Sequence, residues 1–506
     1  MKRKLILAGA VSLALAMSAC GGSGGAASGG AKAGGTLNLA VSQSLKSWDL
    51  AEASMGNAEQ YYEPVFDALL HMDSKGAPTA NLATSWDYDA SLTTLTLKLR
   101  TDVKFSDGAP LDADAVKANL LHTKAGKGEA AALIKAISDV QVTNPSTVVV
   151  KLSTPTPSLL RSLANVPGMI ASPKSLTSPQ VPVGSGPYTL DAATTTAGTE
   201  YGFVANPNYW EKNSYPFEKV DIKTMSDPTA RTNALLSGQL DGAGISPDRV
   251  DAVKAGGLKV DTVTPGVVEG LYIWDKKGAI VPALADVRVR QALNYAFDSA
   301  SIVKIAKKGL GTPTTQHFTS DSEAFVPELD QTYKYDPAKA KALLAEAGYA
   351  NGFDVVMPDI SSLFPEMQAA MVEQLGNVGV RVKLDKIPFD QFMPSILAGK
   401  YAMSYFKTGG ADPWIAIQLI VSKQATWNPF HYEDKHVTDL LSRISTSTGS
   451  AQVALYKELN TYLVQQAWDA PWDVVKDVYA SSKNVQVTMH PFYQTPPLFN
   501  FKPASQ

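Results

Sequence analysis

The sequence predicts an α/β protein with more than one lobe. Once a leader of about 35 residues is set aside, roughly 470 remain, too many for one core and enough for two or three domains. Phe353 to Met357 reads as a strand, Glu366 to Val378 as a helix and Val380 to Leu384 as a strand, the spacing of a βαβ unit on a parallel sheet. Elsewhere, strands of two-residue period sit beside helices with explicit caps.

The chain opens on Lys2, Arg3 and Lys4, a basic head. An apolar run from Leu5 to Met17 follows, then the small residues Ser18 and Ala19 before Cys20. That layout predicts an export signal over 1–19, and its apolar run is shorter than the roughly twenty residues that span a membrane. Cys20 is the single cysteine, so no intramolecular disulfide can form. Its position after Met17-Ser18-Ala19 resembles the lipobox of bacterial lipoproteins, which implies cleavage before Cys20 and lipidation of its thiol. Met17 departs from the usual leucine, and an ordinary secretory signal with an incidental Cys is the alternative. Residues 20–35, mostly Gly, Ala and Ser, then read as anchor and flexible tether.

Order is expected to begin with the strand-like TLNLAV. Leu95, Leu97 and Leu99 alternate with Thr and Lys in a half-buried strand, Asp107-Gly108 marks a turn, and Asp112 caps a helix carrying Val116, Leu120 and Leu121. Val148 to Leu152 is another strand. Six prolines between 155 and 182 predict mostly loop, followed by a rigid Gly184-Ser185-Gly186-Pro187-Tyr188 turn. In the second half, Asp286 caps a helix with Val289, Ala292, Leu293, Ala296 and Phe297 on one face. Asp336-Pro337 begins another helix that Gly348 ends. A last helix, Ala451 to Gln466, precedes an end read as irregular.

Apolar content of 45% and charged content of 18% are ordinary for a globular body, and a net charge of −3 leaves no footprint for nucleic acid. Catalytic signals are weak: among six His, His431 and His436 stand five apart, off helical metal-ligand spacing, and no zinc-protease or phosphate-loop motif occurs. No enzyme, cofactor or metal is expected. Aromatic residues gather late, at Tyr401, Tyr405, Phe406, Trp414, Trp427, Phe430, Tyr432, Trp468 and Trp472. They suit either a ligand cleft or a lobe core; Trp414, behind the Gly409-Gly410-Ala411-Asp412-Pro413 turn, favours the cleft.

Several segments together resemble one family. They are PTANLATSW from Pro78, LKLRTDVKFSDGAPLDADAVKAN from Leu97, GSGPY from Gly184, NPNYW from Asn206, ALLSGQLD from Ala234 and DVRVRQALNYAFD from Asp286, with the Asp412-Pro413 turn. This order is similar to that of the peptide, nickel and oligosaccharide class (family 5) of extracytoplasmic solute-binding proteins of ABC importers. The resemblance implies a two-lobed periplasmic-binding-protein-like fold of class II type, with a hinge and an extra domain inserted in lobe one. Lobe one would cover 36–265 plus 480–506, the insert about 62–182, and lobe two 266–479. The quoted segments would be mostly scaffold. It also implies a monomer anchored outside the cytoplasm through Cys20, on the outer face of the cell membrane or in the periplasm. Such a monomer hands a small molecule or peptide to a permease and its ATPase subunits.

Peptide-binding members carry an aspartate four residues before the proline of this turn, where it pairs with the ligand's α-ammonium. Here that position is Gly409, and the family's Trp is Phe406. A missing carboxylate leaves a buried ammonium unpaired, at a cost of several kcal/mol by order of magnitude, which argues against standard free-amino-terminus peptides. Asp412 or Asp275 could replace it. The ligand stays open between peptides and other organic solutes, sugar-like, opine-like or aromatic acids, with a nickel chelate as a minor branch. Expected contacts are Gln43, Ser44, Leu45, Trp274, Asp275, Tyr405, Phe406, Gly410, Asp412 and Trp414. A surface sensor or adhesin without transport, or a secreted hydrolase, would be the alternatives.

Overall fold

The computed structural model describes residues 35–504, apart from positions 75, 157, 212–213, 363, 389–390 and 491–492. The export signal, Cys20 and the tether through residue 34 lie outside the described residues. Two sheets organise the rest. A seven-stranded sheet runs in the order Lys259–Val263, Asp477–Ser481, Gly242–Ile245, Thr36–Val41, Lys219–Thr224, Glu200–Ala205 and Tyr188–Thr196. A four-stranded antiparallel sheet runs Gly311–Pro313, Ala470–Val475, Val267–Ile273 and Met403–Gly409. The chain crosses from the first sheet to the second between Val263 and Val267, and returns between Val475 and Asp477. Each sheet has its own apolar core.

Between Thr36–Val41 and Tyr188–Thr196 of the seven-stranded sheet, the chain builds an insertion. Its antiparallel sheet (Ala83–Tyr88, Thr94–Leu99, Thr147–Leu152, Ile137–Asn144) backs onto the helix Ala113–Ala125 over a separate core. Leu95, Leu97 and Leu99 are buried, as their period requires, and Asp112 accepts from the Ala115 N–H at 2.9 Å as the cap of that helix. In the second half, Asp286 and Asp336 cap Val287–Tyr295 and Pro337–Glu346. Phe353–Pro358 and Val380–Asp385 pair in parallel around Pro365–Asn377.

Two stretches differ from expectation. Residues 155–182 hold the short helices Leu159–Ser162 and Pro173–Thr177. The end read as irregular supplies Ala470–Val475 and Asp477–Ser481, one strand to each sheet. Ala470–Val475 is buried on both faces, so it shows no two-residue period, and Pro471 disguises it further.

The segments that suggested a family converge on scaffold contacts. Asp67 accepts from Ser185 Oγ, Tyr209 OH and Trp210 Nε1, each at 3.1 Å, and so ties the GSGPY and NPNYW segments together. Gly184 and Gly186 are fixed by close approach: a Cβ at Gly184 would lie 2.0 Å from the Val65 carbonyl oxygen, and at Gly186 2.5 Å from the Val65 carbonyl carbon. Asp241 of ALLSGQLD accepts from Asn38 N–H and Ser482 Oγ, joining the first strand to the returning tail. Arg290 donates to the carbonyls of Leu284, Ala285, Gln466 and Ala467.

Candidate solute-binding cleft

Both sheets contribute to a cavity of about 340 Å³ beside the two crossovers. Ala40, Val41 and Ser42 reach it from the end of the first strand, and Gly244 and Ile245 from its parallel neighbour. Lys407, Thr408 and Gly409 close it from the second sheet, and Val263, Val267, Val475 and Asp477 are the crossovers themselves. The carboxyl ends of parallel strands are where open α/β sheets hold ligands, because no side-chain layer fills the crevice there.

Gly409 opens onto this space: a Cβ built on it meets nothing within 4 Å. Gly409, where the resemblance implies an aspartate in peptide binders, thus offers neither charge nor side chain to this space. Three charged side chains line the cavity. Arg231 is mostly tied to the protein, donating to the carbonyls of Gly244, Met225 and Ser226, and burial lowers its pKa. Burial raises the Asp477 carboxyl above the usual range, against the pull of Lys407 and Lys307. Lys407 is exposed.

In the second sheet, Glu269 accepts from Lys307 Nζ and Tyr405 OH, both at 2.8 Å, and packs with Asp473 on the neighbouring strand. Burial works against the Glu269 charge, but Lys307 and the hydrogen bonds outweigh it and hold its pKa low. Burial and the adjacent Glu269 push Asp473 up to about 9. Among the described residues, no group of three His, Cys, Asp or Glu side chains could hold a metal ion.

The structure divides the expected contact residues. Trp274 and Phe406 pack edge to face in the second core, and Trp274 Nε1 donates to Ser404 Oγ. Tyr405 is spent on Glu269. Asp275 is fully buried and accepts from the backbone N–H groups of Ala279, Ile280 and Val281, so its carboxylate is committed to its own loop. Gln43 and Ser44 are exposed after the first strand, next to the cavity residue Ser42, whereas Leu45 packs on the first core. Gly410 sits against His317, where a Cβ would lie 2.0 Å from the carbonyl oxygen. Asp412 caps Pro413–Ala416, accepting from Ile415 N–H at 3.0 Å.

Trp414 belongs to the second core and also lines a second chamber, of about 460 Å³, with Ile415, Gln418 and Leu419. Leu133, Ser153, Thr156 and Ser162 of the insertion face it from the other side. The remaining late aromatics (Tyr401, Trp427, Phe430, Tyr432, Trp468, Trp472) lie in or against the same core. Sequence reasoning missed Ser42, Lys407, Asp477 and Gln494 as cavity residues. Lys407 was within reach, two residues from Gly409; Gln494 in the tail gave no local signal.

The family model for bacterial extracellular solute-binding proteins, family 5 (middle), matches residues 77–428. This chain belongs to that family. The glutathione-binding protein GsiB of Salmonella typhimurium is 28% identical over 455 residues, covering 85% of this chain and 86% of that protein. Among solved family 5 folds, the periplasmic binding protein AgaA of A. tumefaciens R10, in complex with agropinic acid, superposes with a TM-score of 0.79 at 25% identity. It covers 93% of this chain and 99% of its own. DppA of Helicobacter pylori, in complex with the peptide STSA, gives 0.78 at 19% identity, over 93% of this chain and 98% of that one. Family 5 members bind peptides or small solutes outside the cytoplasm for ABC import. Among the described residues no helix is long and apolar enough to cross a membrane.

Proposed function

We propose that this family 5 protein is a lipid-anchored capture subunit. Held at the membrane through Cys20, it closes its two lobes over one small organic solute and delivers it to an ABC permease. The observation that carries this reading is the cavity between the sheets, walled by both crossovers, into which Gly409 places no side chain. A solute that touches both lobes stabilises the closed form alone, so binding energy becomes a signal of loading. Without a carboxylate at 409, with Asp275 committed to its own loop and with Lys407 facing the space, the cleft favours a compact, carboxylate-bearing solute. The α-ammonium clamp of a peptide binder is missing. The relative AgaA was solved with agropinic acid, a carboxylic acid, and the relative GsiB is a glutathione-binding protein, whose ligand also carries carboxylates. The reading is capture without turnover.

Mass spectrometry of small molecules released by denaturing purified residues 21–506 tests the solute class. A single carboxylate-bearing small molecule is expected; a ladder of free-amino-terminus peptides would refute the specificity. For the anchor, Cys20→Ser should move the protein from the membrane fraction to the soluble one, and unchanged fractionation would remove it.

A further inference from the structure

Among the described residues, an ion pair joins the insertion to the second lobe. Arg161 Nη1 lies 3.1 Å from Asp412 Oδ2. Arg161 is on the short helix Leu159–Ser162, whose Leu159 is buried in the insertion's own core along with Leu163 after it. Asp412 is the cap of the Pro413–Ala416 turn, so its second oxygen is already engaged by Ile415 N–H. Both side chains are largely shielded, with 24% and 14% of their surface exposed, so the pair is screened less by salt than a surface pair.

The Asp412 turn is held tightly from its own lobe as well. Gly410 N–H donates to the Gly266 carbonyl at 2.6 Å, and a Cβ on Gly410 would overlap His317. A π-helical turn, Ile417–Val421, continues directly from the Pro413–Ala416 helix, a feature frequent at functional sites. Asp412, Glu323 and Arg161 all act on the Tyr456 hydroxyl, which burial raises above its ordinary range. The 460 Å³ chamber, walled by the insertion and by Trp414, adjoins the pair.

We propose that Arg161 is a positioning residue for solute capture: from the insertion, it clamps the Asp412 turn, and with it Trp414, as the lobes come together. The insertion is then a working part of the clamp rather than a decoration of lobe one. This rests on the reading of the cleft as the capture site. It also accounts for Asp412, whose two oxygens are used by the cap and the clamp and are not offered to a ligand ammonium.

Hydrogen–deuterium exchange on residues 21–506 tests it without any ligand, so its failure would leave the capture reading standing. Asn caps a helix as well as Asp but carries no charge, so Asp412→Asn removes the ion pair and keeps the turn. Exchange should quicken by about five-fold across the gap, at 159–163 in Asp412→Asn and at 412–417 in Arg161→Gln, because coupling between two sites is reciprocal. Arg161→Lys should restore most of the protection. Exchange altered only in the segment that carries the substitution, or in neither, would overturn the clamp.

Discussion

At the scale of the residue, Gly409 carries the specificity argument, and its replacement is the sharpest point test. Because a Cβ there meets open space, Gly409→Asp should fold with an unchanged melting temperature. It should also gain at least ten-fold in affinity for the free-amino-terminus dipeptide Ala-Ala, measured by calorimetry; no gain would mean that the ammonium pocket lies elsewhere. Gly184 is the opposite case. Its added Cβ would meet the Val65 carbonyl oxygen at 2.0 Å, backbone that cannot swing aside. Gly184→Ala should therefore cost more than about 2 kcal/mol in denaturant unfolding, and a wild-type midpoint would contradict the packing described. Both glycines stand in segments legible in the sequence, yet only three-dimensional neighbours tell the open one from the crowded one.

At the scale of the element, local signals succeeded where a single side chain acts on nearby backbone. The caps Asp112, Asp286 and Asp336 and the stop at Gly348 all stand where the sequence put them. They fell short where burial is two-sided or partners are distant. Ala470–Val475 lacks any period, and the bonds of Asp67 to Ser185 and Tyr209 span over a hundred residues. Of the cleft, the Gly409 turn was legible, whereas the commitments of Asp275 and Tyr405 depend on neighbours that no spacing reveals.

Buried carboxyls on these elements also set a pH dependence. Burial pushes Glu59 to about 7, and burial with Glu269 pushes Asp473 to about 9. Both folded values lie above the unfolded ones near 4. The folded chain therefore retains protons that the unfolded chain has released. Their contribution is full below about pH 4 and is lost as pH rises through 7 and 9 respectively. His71, lowered to about 4 by burial, acts in the opposite sense, but only between about 4 and 6.5. Stability should accordingly fall from pH 7 to 9. Asp473→Asn, which cannot ionise, should flatten that fall by an amount on the order of 1 kcal/mol; an unaltered slope would mean that Asp473 is not held protonated in the folded chain.

At the scale of the whole molecule, two sheets and two crossovers leave a cavity where the chain passes from one sheet to the other, and an ion pair ties the insertion to the Asp412 turn. The proposed function has the body close at that cavity and couple solute to shape. The most direct test is small-angle X-ray scattering of residues 21–506 while the solute released from the protein is titrated back. The account predicts that the radius of gyration falls and saturates at one solute per chain, with the solute recovered intact. A radius that never changes, or a solute consumed during the titration, would contradict capture by closure.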